Sequence, residues 1–202
     1  MQFSTATLLA ALSFSSQIFA APVASAKRDL IVTVHSAVTT LHSQVTTELT
    51  SISSTVASDV TVSIVPSVTT NLVAIAGSLN ETIATIVPAI AGPVLVLTVS
   101  EVESIYNDLT VVKAILSDVE TTLNATVTGV LADTKALLAP EIAAVLALVT
   151  PLVDPLLAYV KTVVGTLTGS DSLVTGVFAL CSDIEDVVGG IVDPVAGLIQ
   201  IL

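Results

Sequence analysis

The sequence predicts an all-α fold, a single-domain bundle of about five or six amphipathic helices. Three observations carry that prediction. Apolar residues recur at steps of three and four in every long segment, which places them on one face of a 3.6-residue helix. Alternation with a period of two, the mark of a half-buried strand, is absent, although Val and Thr favour strands by propensity. Hydrophobic residues make up 53% of the 202 positions and charged residues only 11%, enough aliphatic surface to line one bundle core. Intrinsic helicity is mediocre in so β-branched a chain, so stability has to come from packing the stripes against one another.

The first segment reads as targeting sequence. Thr7–Ala20 is an apolar stretch of signal-peptide length followed by small residues, so residues 1–20 are expected to be removed after Ala20. Residues 21–28 then form a short propeptide ending in the dibasic pair Lys27-Arg28, a processing site for a secretory-pathway protease. The helical domain is 29–202. It keeps three cations, Lys113, Lys135 and Lys161, and every acidic residue.

The first stripe is Leu30, Val34, Ala37/Val38, Leu41, Val45, Leu49, Ile52 and Val56, one long helix. The second is Val68, Leu72, Ile75, Leu79, Ile83 and Ile86, closed by Pro88, with Gly92 and Pro93 completing a bend. The third runs Val102, Ile105, Leu109, Val112, Leu116, Val119, Leu123, Val127 and Val130, with Glu101 and Glu103 suited to its positive N-terminal end. Pro140 reads as the first residue of a fourth helix through Ile142, Val145 and Val149, broken by Pro151. Asp154-Pro155 reads as the start of another, through Leu156, Val160 and Val163. After a turn at 165–170, Ser170 or Asp171 caps a last helix through Leu173, Val177, Leu180, Ile184 and Val187, which Gly189-Gly190 ends.

A membrane span is the competing reading of the uncharged run Thr82–Ser100. Pro88, Gly92 and Pro93 at its centre favour a helix end, a turn and a helix start instead. The C-terminal tail Ile191–Leu202 is short, holds Asp193 and Pro194, and lacks the polar spacer of a lipid-anchor signal.

Charge and composition exclude whole classes of function. Five Lys+Arg against 17 Asp+Glu, a net charge of −12, leave no basic patch for nucleic acid. The single cysteine, Cys181, excludes an intrachain disulfide framework and reads as a small buried hydrophobe, the alternative being an intermolecular disulfide. No nucleophile elbow, phosphate-binding loop, zinc-protease motif or dinucleotide turn is present, so the chain is read as no enzyme, with no cofactor and no metal. His35 and His42 lie two helical turns apart, about 10 Å, too far to share a metal without another ligand between them. They read as solvent-edge residues. Asp183, Glu185 and Asp186 read as a solvated acidic face, since no loop of alternating oxygen ligands accompanies them.

In a secreted chain the sequons at Asn80 and Asn124 are N-glycosylation candidates. Ser and Thr fill 18 of the 38 positions from Thr33 to Thr70. That density suits either a solvated helix face with little charge or O-linked glycans, and both would keep a charge-poor surface wet.

The succession of a signal peptide, the spacer beginning Ala21-Pro22-Val23, the junction Lys27-Arg28-Asp29 and the Ser/Thr-rich amphipathic run from Leu30 to Val56 resembles the fungal hydrophobic surface-binding protein A family, which includes the cell-wall galactomannoproteins. The resemblance extends through regular helices to about Val188. It implies a secreted, extracellular or cell-wall-associated helical glycoprotein that binds hydrophobic surfaces and, as in some relatives, fatty acids between its helices. The chain departs from the pattern in its low charge and in Pro140, Pro151, Pro155 and Pro194. No individual binding residue carries over from the family.

The residues lead to a compatible expectation. A bundle lined by Leu, Ile and Val can hold an acyl chain without desolvating a charge, at about 0.8 kcal/mol for each buried CH₂. The expected function is therefore a non-enzymatic binder of hydrophobic surfaces, fatty acids or other lipids. The alternative is a structural wall mannoprotein in contact with polysaccharide through its glycans. The second and third stripes flank the Pro88–Pro93 bend and are expected to pair antiparallel. The apolar contact is accordingly expected at Leu72, Ile75, Leu79, Ile83, Ile105, Leu109, Val112 and Leu116, either as a slot for the ligand or as dry core.

Overall fold

A computed structural model describes the backbone of residues 5–92, 96–166 and 171–200, and the side chains of residues 28–92, 96–166 and 172–191. Among the described residues the fold is all-α, with five helices: α1 (Thr5–Ser58), α2 (Val65–Ile90), α3 (Val99–Gly129), α4 (Ala132–Val164) and α5 (Asp171–Gln200). A single 3-10 turn, Val62–Ile64, leads into α2.

Each stripe became the buried face of its helix. Leu30, Val34, Val38, Leu41, Val45, Leu49 and Ile52 of α1 are buried. All nine third-stripe residues are buried, eight on α3 and Val130 just past its end, and Asp108, Ile115 and Thr126 join them. These faces merge into one core cluster drawn from all five helices. Fully burying such a side chain contributes about 1.5–3 kcal/mol, which offsets the weak helix propensity of Val and Thr.

Neighbour relations form a closed ring in the order α1, α2, α4, α5, α3. Directions follow from the pairs that meet. His35 bonds Asp108, 73 residues on, and Val56 lies against Gly129 at the same offset, so α1 and α3 run parallel. Lys113 meets Asp183, 70 residues on, and Tyr106 and Glu120 face Gly176 and Gly190 at that offset, so α3 and α5 are parallel too. The α1–α2 pair is antiparallel, joined by an Asn71 Nδ2–H bond to Ser51 Oγ at 2.9 Å. The α2 and α4 helices start together, where the Val60 carbonyl accepts from Leu131 N–H and Thr134 Oγ1, and end together, where Val87 and Ile90 adjoin Pro155 and Tyr159. Three helices therefore run one way and two the other.

This order corrects the expected α2–α3 pairing. The helices that flank the bend are not neighbours in the ring, because α1 lies between them on one side and α4 and α5 on the other. The link from α2 to α3 therefore joins two helices that do not pair as a hairpin.

Prolines and glycines also do less than expected. Pro88 does not close α2, which continues to Ile90. Pro140, Pro151 and Pro155 all lie inside α4, so the two helices expected there are one. The reason is where these prolines fall. Spacings of 11 and 4 residues put the three on one helix face, and Pro140 and Pro151 are exposed while Pro155 is half-buried. Each proline frees the carbonyl four residues earlier. Those carbonyls belong to Ala84, Ala136, Ala147 and Pro151, all exposed, so water satisfies them. Gly189-Gly190 likewise does not end α5. Neither glycine adopts the left-handed backbone of a helix stop, and a Cβ at Gly190 would come within 3.1 Å of Glu120 Oε1. Gly190 leaves room for the Glu120 carboxylate of α3, and Ile191 beyond it is buried.

The start of α3 is secured by a capping box. Thr98 Oγ1 accepts from Glu101 N–H, and Thr98 N–H donates to Glu101 Oε2 at 2.6 Å. Thr98→Ala is expected to lower stability by about 0.5–2 kcal/mol in urea titration. A smaller loss with Glu101→Ala than with Thr98→Ala would show that the hydroxyl is the dominant half of the box.

Candidate hydrophobic binding surface

Seven of the eight expected contact residues, Leu72, Ile75, Leu79, Ile105, Leu109, Val112 and Leu116, are at most 5% exposed, and Ile83 is half-buried. They belong to the common core. None of them lines any of three described open grooves: one of about 400 Å³ between α1 and α2, bounded by Thr33, Thr40, Gln44 and Glu81; one of about 330 Å³ between α1 and α3, bounded by Thr46, Thr50, Asp118 and Thr122; and one of about 310 Å³ between α2 and α4.

The outer surface is divided by charge. From Val65 to Ile90, α2 carries one charged residue, Glu81. Between Glu141 and Asp154, α4 carries none. Among the described residues, these are the two helices long and apolar enough to cross a membrane, with mean hydropathies of 1.5 and 2.1 over an 18-residue window within 62–90 and within α4. Only 28% of that α2 window and 44% of that α4 window is buried. Between the exposed charges Asp133 and Asp154, the fully exposed positions of α4 are Ala136, Leu137, Pro140, Ala143, Ala144, Ala147, Thr150 and Pro151, and those of α2 include Val73, Gly77, Ala84 and Pro88. Because α2 and α4 are adjacent and parallel, these positions lie side by side. In contrast, α3 carries Glu101, Glu103, Asp108, Lys113, Asp118 and Glu120, and its neighbour α5 carries Asp183, Glu185 and Asp186. The run Thr82–Ser100 is not one helix, in keeping with the helix end and helix start expected there: α2 ends at Ile90 and α3 begins at Val99.

The acidic side is solvated and partly paired. Asp183 takes a 2.6 Å bond from Lys113, and Glu185 a 2.5 Å bond from Lys161. The Glu185 hydrogen bond raises the Lys161 ammonium above its ordinary range. Among the described residues, no cluster of three or more His, Cys, Asp or Glu is placed to hold a metal. Cys181 is buried, and burial pushes its thiol pKa up. That placement matches a small core hydrophobe.

One pair was not anticipated. His35 is exposed, as expected, but its Nδ1 bonds Asp108 Oδ1 at 2.8 Å, and Asp108 is buried with Oδ2 unpartnered. Burial pushes the Asp108 carboxyl above the usual range, against the opposing pull of His35. Asp59 moves the other way, to about 2, chiefly through the Ser63 hydroxyl and then the Thr61 N–H. The two therefore have opposite linkage. Asp108 favours the folded state most below about pH 4, and that contribution is lost as pH rises through its raised value. Asp59 contributes above about pH 4, and its contribution is lost as pH falls toward 2. Asp108→Asn is expected to gain stability relative to the parent as pH rises from 4 to 7, because the unfolded carboxyl ionises there while burial resists ionisation in the fold. Urea midpoints at the two values check this, and parallel pH profiles would refute it.

Asn80 is exposed near the middle of the outward face of α2, and Asn124 is half-buried on α3. Arg28 is exposed, while the side chains of residues 1–27, where the targeting segment and Lys27 were expected, lie outside the described residues, as does Pro93. No family model, curated protein or solved structure matches the chain.

Proposed function

We propose that this chain is a secreted, non-enzymatic protein that binds hydrophobic surfaces, fatty acids or other lipids through apolar helix faces, in the manner of the hydrophobic surface-binding protein A family that its sequence resembles. The observation that supports the reading is the charge-poor outward face formed by α2 and by the middle of α4, between Glu141 and Asp154, on a bundle that is acid-rich elsewhere. An apolar face of this kind stabilises a protein on oil, wax or plastic by removing surface from water. The acidic α3–α5 side keeps the adsorbed protein wetted on its far side. Recruitment to anionic membranes gains nothing from a net charge of −12.

The test is adsorption. Protein from a secreting host, mixed with alkyl-coated and with hydroxyl-coated beads, is expected to deplete from solution on the alkyl beads only, and to stay bound at high salt, where electrostatic adsorption is screened. Full recovery in the supernatant overturns the reading. Exposed Asn80 favours the second reading, a wall mannoprotein acting through its glycans. A glycan there would cover the α2 face, so enzymatic deglycosylation is expected to strengthen adsorption under the first reading and abolish wall retention under the second.

A further inference from the structure

Among the described residues, two shielded side-chain atoms have no hydrogen-bond partner, Asp108 Oδ2 and the Tyr159 hydroxyl. The phenol stays uncharged, since burial raises its pKa. Asp108 is the one whose charge changes. It sits in the seam between α1 and α3, and its Oδ1 meets His35 Nδ1 at 2.8 Å. The register of that seam sets 31–39 of α1 opposite 104–112 of α3, and His35 is the one titratable residue in that stretch of α1. Arg28 and Asp29, earlier on α1, are exposed. On the α5 flank the register sets 174–182 opposite, where Cys181 is buried, and Asp183 just beyond is held by Lys113. On α3 itself Tyr106 faces Gly176 and Glu103 is exposed. On α4, Asp154 is exposed and Lys161 is bonded to Glu185. Only the charge of His35 acts on the Asp108 carboxyl. The same part of α1 is loosely held on its other flank, where Thr33, Ser36, Ala37 and Thr40 line the open groove of about 400 Å³ toward α2.

We propose that the His35–Asp108 pair is a pH-sensitive latch, which holds the α1–α3 seam shut in acid medium and releases it as Asp108 ionises toward neutrality, baring Val34, Val38, Ile105 and Leu109 to an apolar surface. This rests on the reading that the protein adsorbs to such surfaces, and it names the regulation. A protonated carboxyl is neutral and sits in the seam at little cost. An ionised one has a single bond, from the imidazole to Oδ1, and none at Oδ2, in an aliphatic surround. A buried charge so incompletely paired is costly, and opening the seam lets water reach it. The linkage has one sign. The closed seam holds the Asp108 proton more tightly than the open one, because burial raises the carboxyl pKa against the pull of His35. The seam is therefore most stable below about pH 4 and loses stability as pH rises through the raised value. Such a local opening requires less free energy than unfolding the bundle.

The experiment is amide hydrogen exchange of the full protein at pH 4 and pH 7, read by NMR as protection factors, with the labelled Asp108 carboxyl carbon titrated alongside. Protection over 31–40 and 104–112 is expected to fall by at least about tenfold at pH 7 relative to α4, the change for one unit of pKa difference between closed and open seam. Asp108→Asn is expected to protect the seam equally at both values. His35→Ala is expected to lower its protection more at pH 7 than at pH 4. An Asp108 carboxyl that titrates in the ordinary range, a parent seam equally protected at both values, a pH-dependent seam in Asp108→Asn, or a seam indifferent to His35→Ala would each overturn the latch. So would a fall shared equally by α4, since the whole bundle would then be opening. Initial adsorption rates on alkyl beads are measured at the same values, and the parent is expected to outpace Asp108→Asn at pH 7 only. If the parent adsorbs no faster than Asp108→Asn, the latch falls as a regulator and the proposed function stands; if the parent adsorbs at neither pH, the proposed function itself falls.

Discussion

Trimming Leu109 to Ala is expected to cost about 2–5 kcal/mol, the range for deleting a large aliphatic side chain from a core that relaxes only in part. Leu109 is 1% exposed, sits mid-stripe on α3 and lines none of the three grooves. The converse change, Leu109→Trp, is expected to cost about 1–3 kcal/mol through overpacking. Urea midpoints of both variants check this. A slot at this position would give a different pattern: the Trp variant would keep its stability and lose acyl-chain binding, because the indole would fill ligand space. A Trp variant that is destabilised yet binds fatty acid as well as the parent would assign Leu109 to dry core.

The second large effect is on adsorption. Val73→Glu combined with Ala147→Glu places two carboxylates on the α2–α4 face, at positions that are exposed. Each must be desolvated on an alkyl surface or hold the face away from it. The bead–water partition coefficient is expected to fall by at least about tenfold, which is about 1.4 kcal/mol. The fold should tolerate the change, since exposed substitutions stay within about 0.5 kcal/mol. The control is Ala114→Glu with Ala179→Glu, exposed positions on α3 and α5, expected to leave partition unchanged. Equal losses from the two pairs would show that net charge, and not this face, governs adsorption.

Much of the local structure was legible beforehand. The stripes of α1 and α3 coincide with their buried faces because a helix turns 100° per residue whatever surrounds it. The His35–Asp108 pair was missed although a signal existed. Asp108 falls between Ile105 and Val112 on the third stripe, so its burial followed from the same spacing that marked Leu109. Its partner was not legible, because contact with a residue 73 positions away depends on which helices are neighbours. Tyr159 carries a similar signal, one position before Val160 on the stripe of α4.

The punctuation of the helices required the tertiary structure. A proline inside a helix is costly when the carbonyl it frees is buried and tolerable when that carbonyl meets water. Pro88, Pro140 and Pro151 face outward, but outward is defined only once the bundle has formed. Gly190 reads as a helix stop in isolation and as a packing notch for Glu120 once α3 lies beside it. The sequence alone determined that the chain is helical and which face of each helix is buried, since both depend on backbone geometry and on where aliphatic side chains fall. Only the tertiary structure decided that α1 and α4, and not α3, are the neighbours of α2. Stripes of Leu, Ile and Val have no preferred partner, because burial of apolar surface is non-directional; the order of the ring, and with it the charge-poor α2–α4 face, follows from how five such stripes share one core.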